Sequence, residues 1–124
     1  MKSRDAQIRM KRFQIEERRR QVGQIETMIE EFGRMVGDLD IEIAAEHRRT
    51  GNDDEKHFAY STFARAAKQR RANLQASIDD LGQQLETAKA ALDVALAELA
   101  REEEKLERES AGDSGRQVSD RAVG

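Results

Sequence analysis

A seven-residue repeat of apolar side chains near the start of the chain constrains its fold more than any other feature. Isoleucine or valine recurs at every seventh position, and from Ile25 onward another apolar residue follows three positions later. Such a repeat marks the a and d positions of a heptad, and it winds one α-helix around another. We therefore predict a long helix with a helical partner. The a series is Ile8, Ile15, Val22, Ile29, Val36 and Ile43, and the d series is Ile25, Phe32 and Leu39.

A second apolar stripe further along the chain supplies that partner. Between the two stripes lies Thr50-Gly51-Asn52, where Gly51 or Asn52 suits the left-handed conformation that ends a helix. The pattern predicts an all-α fold, a long antiparallel two-helix coiled-coil hairpin with a disordered C-terminal tail. The second stripe has Ile78, Leu85, Leu92, Leu99 and Leu106 at a, and Leu74 and Leu81 at d.

The predicted hairpin covers residues 1–110, with helices at about 3–49 and about 62–109 and a turn at about 50–61. Acidic residues also favour a start of the second helix as early as Asp54, so two starts stay open. Residues 111–124 are rich in small polar side chains, which predicts a disordered tail.

Three antiparallel registers, one heptad apart, are compatible with the two stripes. In the middle register Val36 faces Leu74 and Ile29 faces Leu81. Because both stripes repeat every seven residues, their apolar positions do not choose among the three.

Composition excludes several classes of protein. The 124 residues are 38% charged and 4% aromatic, and they include no proline and no cysteine. Helices stay uninterrupted because an interior proline would cost about 3 kcal/mol. Disulfides and thiolate chemistry are excluded. With no apolar leader and no run near the roughly 20 apolar residues of a membrane span, we expect a cytoplasmic protein without membrane insertion.

Motifs for catalysis and cofactor binding are missing. The sequence contains no GxGxxG and no GxxxxGK[ST], and its carboxylates fall on solvated helix faces where nothing raises their pKa. Asp53 and His57 are four residues apart, but two ligands are too few for a structural zinc site. We predict a non-enzymatic protein with no cofactor, no metal and no catalytic residue.

The N-terminal 20 residues are strongly basic, with eight lysines and arginines against three acidic residues. The net charge of the whole chain is nevertheless -3, and acidic residues interleave the basic run. Nucleic-acid binding is therefore not expected, although it stays a weak alternative.

Basic residues also occupy the d positions at the start of the first helix, namely Arg4, Lys11 and Arg18, while Ile8 and Ile15 keep the a positions apolar. One interpretation is that these long side chains extend to solvent and the hairpin frays there. The other is that a half-open seam receives a partner. Two apolar residues outside the seam give the second interpretation weak support: Met10 and Phe13.

Most aromatic residues cluster near the turn. Tyr60 falls at a d position and could cap the seam, which leaves Phe58 and Phe63 outside it. The cluster either fixes the turn as a local plug or forms an exposed apolar patch that docks a partner, since aromatic residues are favoured at interfaces.

Two segments resemble a known family. MKSRDAQIRMKRFQIEERRRQVGQIETMIEEF at the start and HFAYSTFARAAKQRR after the turn are similar to the alphaproteobacterial branch of the FliJ proteins. These are stalk components of the flagellar type III protein export apparatus, which serves bacterial flagellum biogenesis and motility. The resemblance covers about residues 1–109, including the hairpin layout and the turn position.

The resemblance implies a cytoplasmic stalk at the inner-membrane base of the flagellum. The end carrying both termini would insert into the ring of the export ATPase hexamer, and the coil would contact the cytoplasmic domain of the export gate and assist export chaperones. By position, Phe58, Tyr60 and Phe63 are candidates for the gate contact. A general self-associating coiled-coil scaffold or adaptor unrelated to flagella is the alternative. The implied ATPase contact comprises Arg4, Ile8, Lys11, Ile15, Arg18, Leu99, Glu102 and Leu106.

Overall fold

Two long α-helices packed against each other make up the described part of the chain. The computed structural model describes the backbone of residues 2–123 and the side chains of residues 3–112. Helix α1 is Lys2–Thr50 and helix α2 is Thr62–Val123, and no strand occurs between residues 2 and 123. The predicted all-α helical hairpin is confirmed.

The helix bounds agree with the sequence within one residue at three of the four ends. The fourth differs, because the backbone of α2 continues as helix to Val123 where an end near Glu109 and a tail over 111–124 were predicted. The segment holds no proline, and a glycine such as Gly112 costs only about 1 kcal/mol in a helix, so no residue there enforces a stop. The side chains of 113–124 lie outside the described residues.

Gly51 ends α1 as the sequence predicted. Its φ of 68° is the left-handed conformation, and its N–H donates to the carbonyl oxygen of His47 at 2.8 Å. This bond satisfies a carbonyl that the end of the helix would otherwise leave without a donor.

The connector is organised by side chains that accept backbone N–H groups. Asn52 Oδ1 accepts from Asp54 and Asp54 Oδ1 accepts from Lys56, each at 3.0 Å. Ser61 Oγ accepts from the N–H of Ala64 at 3.1 Å, which is the bond of an N-cap residue. Of the two starts left open by the sequence, α2 therefore has the later one.

The chain divides into two compact units, which we describe separately. The turn unit is Gly23–Thr87, and the terminal unit comprises Met1–Val22 and Ala88–Gly124. In the turn unit, Leu39, Ile43 and Ala67 form a buried cluster against which Leu74 packs. Burial of an isoleucine or leucine side chain contributes about 1.5–3 kcal/mol.

Contacts between the helices select the middle of the three registers. In the turn unit Asp40 Oδ2 accepts from Arg71 Nη2 at 3.4 Å, and in the terminal unit Glu98 Oε2 accepts from Lys11 Nζ at 3.1 Å. In an antiparallel helix pair, the residue numbers of two facing positions have a nearly constant sum. This sum is 111 for Asp40 with Arg71 and 109 for Lys11 with Glu98, close to the 110 of Val36 with Leu74 in the middle register. A shift by one heptad would change that total by seven.

Within the described helices, no segment is both long enough and apolar enough to cross a membrane.

Candidate partner-binding surfaces

Ion pairs between the helices occupy two of the three basic d positions of α1 in the terminal unit. Arg4 donates from Nη1 to Glu102 Oε2 at 2.6 Å and from Nε to Glu109 Oε1 at 2.9 Å. Lys11 Nζ lies 3.1 Å from Glu98 Oε2. The a positions beside them are apolar, so this part of the coil combines an apolar row with an ionic row.

Arg18 extends to solvent, as the first interpretation of the basic d positions expects, but Arg4 and Lys11 are paired with carboxylates and the hairpin does not fray. Ile8 and Ile15 are only 4% and 3% exposed, so the helices do not separate there and no half-open seam is present. The reason is that α2 supplies carboxylates where α1 supplies cations. A signal for this was in the sequence, because the d series of α2 continues past Ala95 to Glu102 and Glu109.

The remaining predicted ATPase-contact residues differ in accessibility. Leu99, Glu102 and Leu106 are half-buried against α1, whereas Arg18 is exposed. No ion pair of Arg18 occurs within the described side chains, because the nearest d positions of α2 are alanines rather than carboxylates. Of the eight residues, Arg18 is the one whose charged group is freely available to a partner.

The outer surface of α1 in the terminal unit carries two apolar side chains that the sequence supported only weakly. Met10 is 63% exposed and Phe13 is 65% exposed, three residues apart on the same helix face. Arg12 beside them is bound to Glu103 on α2 at 3.5 Å. Met10 and Phe13 lie on the outer side of α1, whereas Arg18 lies on another side, next to the seam. A partner that surrounds this unit would meet all three, and we call these three exposed residues together the N-terminal surface.

At the turn, the aromatic cluster separates into a buried and an exposed part. Tyr60 is 6% exposed, its hydroxyl lies 2.7 Å from Nε2 of His47, and the guanidinium of Arg65 and the ammonium of Lys68 each lie 5.2 Å from its ring centre. Tyr60 thus closes the apolar seam, as its d position predicted. These cations lie within the distance at which an aromatic ring attracts positive charge.

Phe58 and Phe63 lie outside the seam, also as predicted. Phe58 is 96% exposed and stacks on the ring of His57 with 4.7 Å between ring centres, while Phe63 is 55% exposed. Nδ1 of His57 accepts the N–H of Ala59 at 3.0 Å, so the histidine both shapes the connector and supports the phenylalanine. The result is a protruding aromatic side chain on an ordered loop.

Carboxylates of the turn unit are held ionised by their neighbours. A hydrogen bond from Arg49 and another from Ser61 Oγ, 2.6 Å from Glu46 Oε2, lower the pKa of Glu46. A hydrogen bond from Lys68 likewise lowers the pKa of Glu55. Both carboxylates connect different parts of the chain, since Glu46 reaches the N-cap of α2 and Glu55 joins the connector to α2.

One side of the turn unit is grooved and largely apolar. A groove of about 270 Å³ is lined by Met35, Asp38, Leu39, Arg70 and Leu74, and a neighbouring groove of about 290 Å³ by Glu42, Ala45, Glu46, Arg49 and Phe63. Met35 and Glu42 are seven residues apart, as are Phe63 and Arg70, so both grooves lie along the same side of the coil. We call this surface the Met35–Phe63 face.

Neither the possible metal ligands nor a comparison with known proteins assigns a function to these surfaces. Among the described side chains, no group of three or more histidines and carboxylates is close enough to hold a metal ion. Asp53 and His57 therefore have no third ligand within that part of the chain. No family model, no curated protein and no solved structure is similar enough to this chain to count as a match.

Proposed function

We propose that this chain is a non-enzymatic stalk of the flagellar type III protein export apparatus. The observation that carries the proposal is the resemblance of residues 1–109 to FliJ proteins, together with a fold of two long packed helices. The stalk would act in the cytoplasm at the flagellar base, without a cofactor. It would link the export ATPase hexamer to the export gate and assist export chaperones.

The N-terminal surface is a better candidate for the ATPase contact than the buried seam residues of the same unit. The apolar seam residues Ile8 and Ile15 are buried between the helices, so they support the contact by holding the coil together rather than by touching the ring. Met10, Phe13 and Arg18 offer two exposed apolar side chains and an exposed cation. Exposed aromatic and arginine side chains are frequent anchors of protein interfaces.

The gate contact is assigned to the turn unit. Phe58 and Phe63 present exposed aromatic surface, whereas Tyr60 is buried and would contribute by fixing the turn. Docking of Phe58 into an apolar pocket would bury a side chain that is almost fully exposed in the free protein.

The test is to measure hydrolysis and hexamer formation by the cognate export ATPase with and without this protein. We expect stimulation by the wild-type chain and its loss in a Met10→Ser, Phe13→Ser, Arg18→Glu triple variant. All three side chains are solvent-exposed, so the variant should keep its helicity. A matched control is Val94→Ser, which changes another exposed apolar residue of the terminal unit, 58% exposed, on the other helix.

The outcome separates the proposal from the scaffold alternative. If the wild-type chain neither binds the ATPase nor changes its activity, the stalk proposal fails and a general coiled-coil scaffold becomes the better explanation. If stimulation survives the triple variant but is lost in the Phe58→Ala, Phe63→Ala variant, the assignment of the two contacts is reversed.

A further inference from the structure

The two sides of the turn unit differ in the polar contacts that join the two helices. Asp40 and Arg71 bridge the helices on one side, and His47 binds Tyr60 further along. Lys68 and Glu55 extend this row of polar contacts to the connector. That side is therefore covered by hydrogen bonds and ion pairs between groups of the same chain.

On the opposite side, the Met35–Phe63 face, Glu46 and Ser61 are joined at the turn. Between Met35 and Glu42, no hydrogen bond or ion pair of the described side chains on this face joins the two helices. Met35 is 51% exposed, Phe63 is 55% exposed and Met28, one heptad before Met35, is 42% exposed. The grooves between the helices reach down to Leu39 and Leu74 of the seam. Methionine side chains adapt to irregular partners and are common on surfaces that bind other proteins.

Three charged groups on this face form no ion pair among the described side chains. Arg70 and Asp38 line the same groove, yet within the described side chains no ion pair includes Arg70, Asp38 or Glu42. A surface that carries both signs of charge around an apolar centre is suited to a copy of itself, because each sign then finds its opposite in the partner.

We propose that a second copy of this chain covers the Met35–Phe63 face and forms a symmetric four-helix dimer. The two-fold axis runs parallel to the helices, so α1 of one copy lies across from α2 of the other at the same level. Because Arg71 bonds Asp40 and the helices are antiparallel, Arg70 of α2 is level with about residue 41 of α1. Asp38 and Glu42 therefore lie on either side of Arg70 of the second copy, and Met35 packs near the second copy's Leu74.

Dimerisation does not depend on the export role, and its tests use none of the export partners. The first test is the mass in solution of the full chain, measured by light scattering and by sedimentation over a concentration series. We expect a concentration-dependent dimer. Met35→Asp should shift it to monomer with unchanged helicity, because the carboxylate would have to lose its water in the apolar centre of the interface, whereas in the monomer it stays hydrated.

The matched control is Ile41→Asp, since Ile41 is exposed at 68% but lies six residues from Met35, on a different face of α1. This variant should dimerise like the wild type. Equal loss of dimer in both variants, or a wild-type chain that stays monomeric throughout the series, would overturn the proposal.

A charge-swap experiment tests the geometry and does not depend on the stability of any one variant. Asp38→Lys with Glu42→Lys places three cations together in a homodimer, and Arg70→Glu places three anions together. Each protein alone should be monomeric, but their mixture should form a heterodimer in which both contacts pair opposite charges. Pairing within one chain cannot produce this rescue.

Two results of the charge-swap experiment would contradict the proposed contact. Dimers that persist in both single proteins would place the interface elsewhere on the chain, and a mixture that stays monomeric would show that Arg70 does not meet Asp38 and Glu42 across a dimer. A wild-type dimer that survives Met35→Asp would likewise exclude this face.

Discussion

The hydroxyl of Tyr60 and Nε2 of His47 lie 2.7 Å apart and join the end of α1 to the connector, two residues before α2 begins. Tyr60 is at once the last apolar residue of the seam and a polar partner for the helix end. The contact explains why one aromatic residue of the turn is buried while its neighbours are exposed.

Replacing Tyr60 by Phe should lower the free energy of unfolding by about 1 kcal/mol, the net value of one partly buried hydrogen bond. The ring stays in place, so the apolar contacts and the two neighbouring cations are retained. Urea denaturation followed by circular dichroism measures the change. Phe58→Leu alters an almost fully exposed ring and should leave the transition where it was; equal losses would mean that the hydroxyl bond is not the cause.

Stability should decrease at acidic pH because of Glu46. The pKa of Glu46 in the folded protein lies below the ordinary value of 4.5. In the pH range just below 4.5, the unfolded chain therefore binds more protons at this residue than the folded protein does. The contribution is fully present above 4.5 and is lost as the pH falls through the lowered pKa. Glu55, whose pKa is lowered by Lys68, acts in the same direction.

Glu46→Gln should therefore flatten the acid side of the stability profile, which denaturation midpoints measured at a series of acidic pH values would detect. The glutamine can still accept from Ser61, so the N-cap of α2 is preserved. Glu86→Gln, at an exposed position of α2, makes the same change of net charge and is the control. A profile with the same slope before and after Glu46→Gln would show that this carboxylate does not carry the effect.

Reversing the charge of Lys11 and reversing the charge of Arg18 should affect the local stability of α1 differently. Lys11→Glu faces Glu98 with a like charge and should accelerate hydrogen exchange in the first part of α1, whereas Arg18→Glu should leave exchange unchanged. Lys11→Glu combined with Glu98→Lys should restore protection. Partly exposed pairs contribute about 0–1 kcal/mol, so the effect is expected in local exchange rather than in global unfolding.

Alanine substitutions at two glycines should act with opposite sign. Gly51→Ala forces a side chain into a φ of 68° and should destabilise the protein by about 1–2 kcal/mol. Gly33→Ala lies inside α1 with no atom within 4 Å of the added methyl group, so it should stabilise by up to about 1 kcal/mol. Thermal unfolding of both variants checks the difference; a loss at both positions would contradict it.

The fold follows from the heptads, because an unbroken apolar stripe leaves a helix few alternatives to packing against another helix. The cap at Gly51 and the burial of Tyr60 follow from local position in the same way. The end of α2 was predicted too early, since small polar residues lower helix propensity without forbidding a helix.

The surfaces were harder to foresee. The d-position cations Arg4 and Lys11 can be recognised as ion-pair partners only when Glu98, Glu102 and Glu109 are known to lie beside them. That pairing depends on the register of the two helices, which the apolar residues do not specify. The Met35–Phe63 face likewise requires knowing which residues of α1 and α2 are level with each other.

The ion pairs between the helices specify the register of the hairpin, which the apolar seam alone does not. Sliding one helix by seven residues restores every apolar match, so a slipped hairpin would look almost equally well packed. It would, however, replace Glu98 opposite Lys11 by Ala91 or Lys105, and Arg71 opposite Asp40 by Ala64 or Ile78. Although each pair adds little stability, together they make the native alignment the one in which these charges are matched, which is the best-established use of polar groups in a coiled-coil seam.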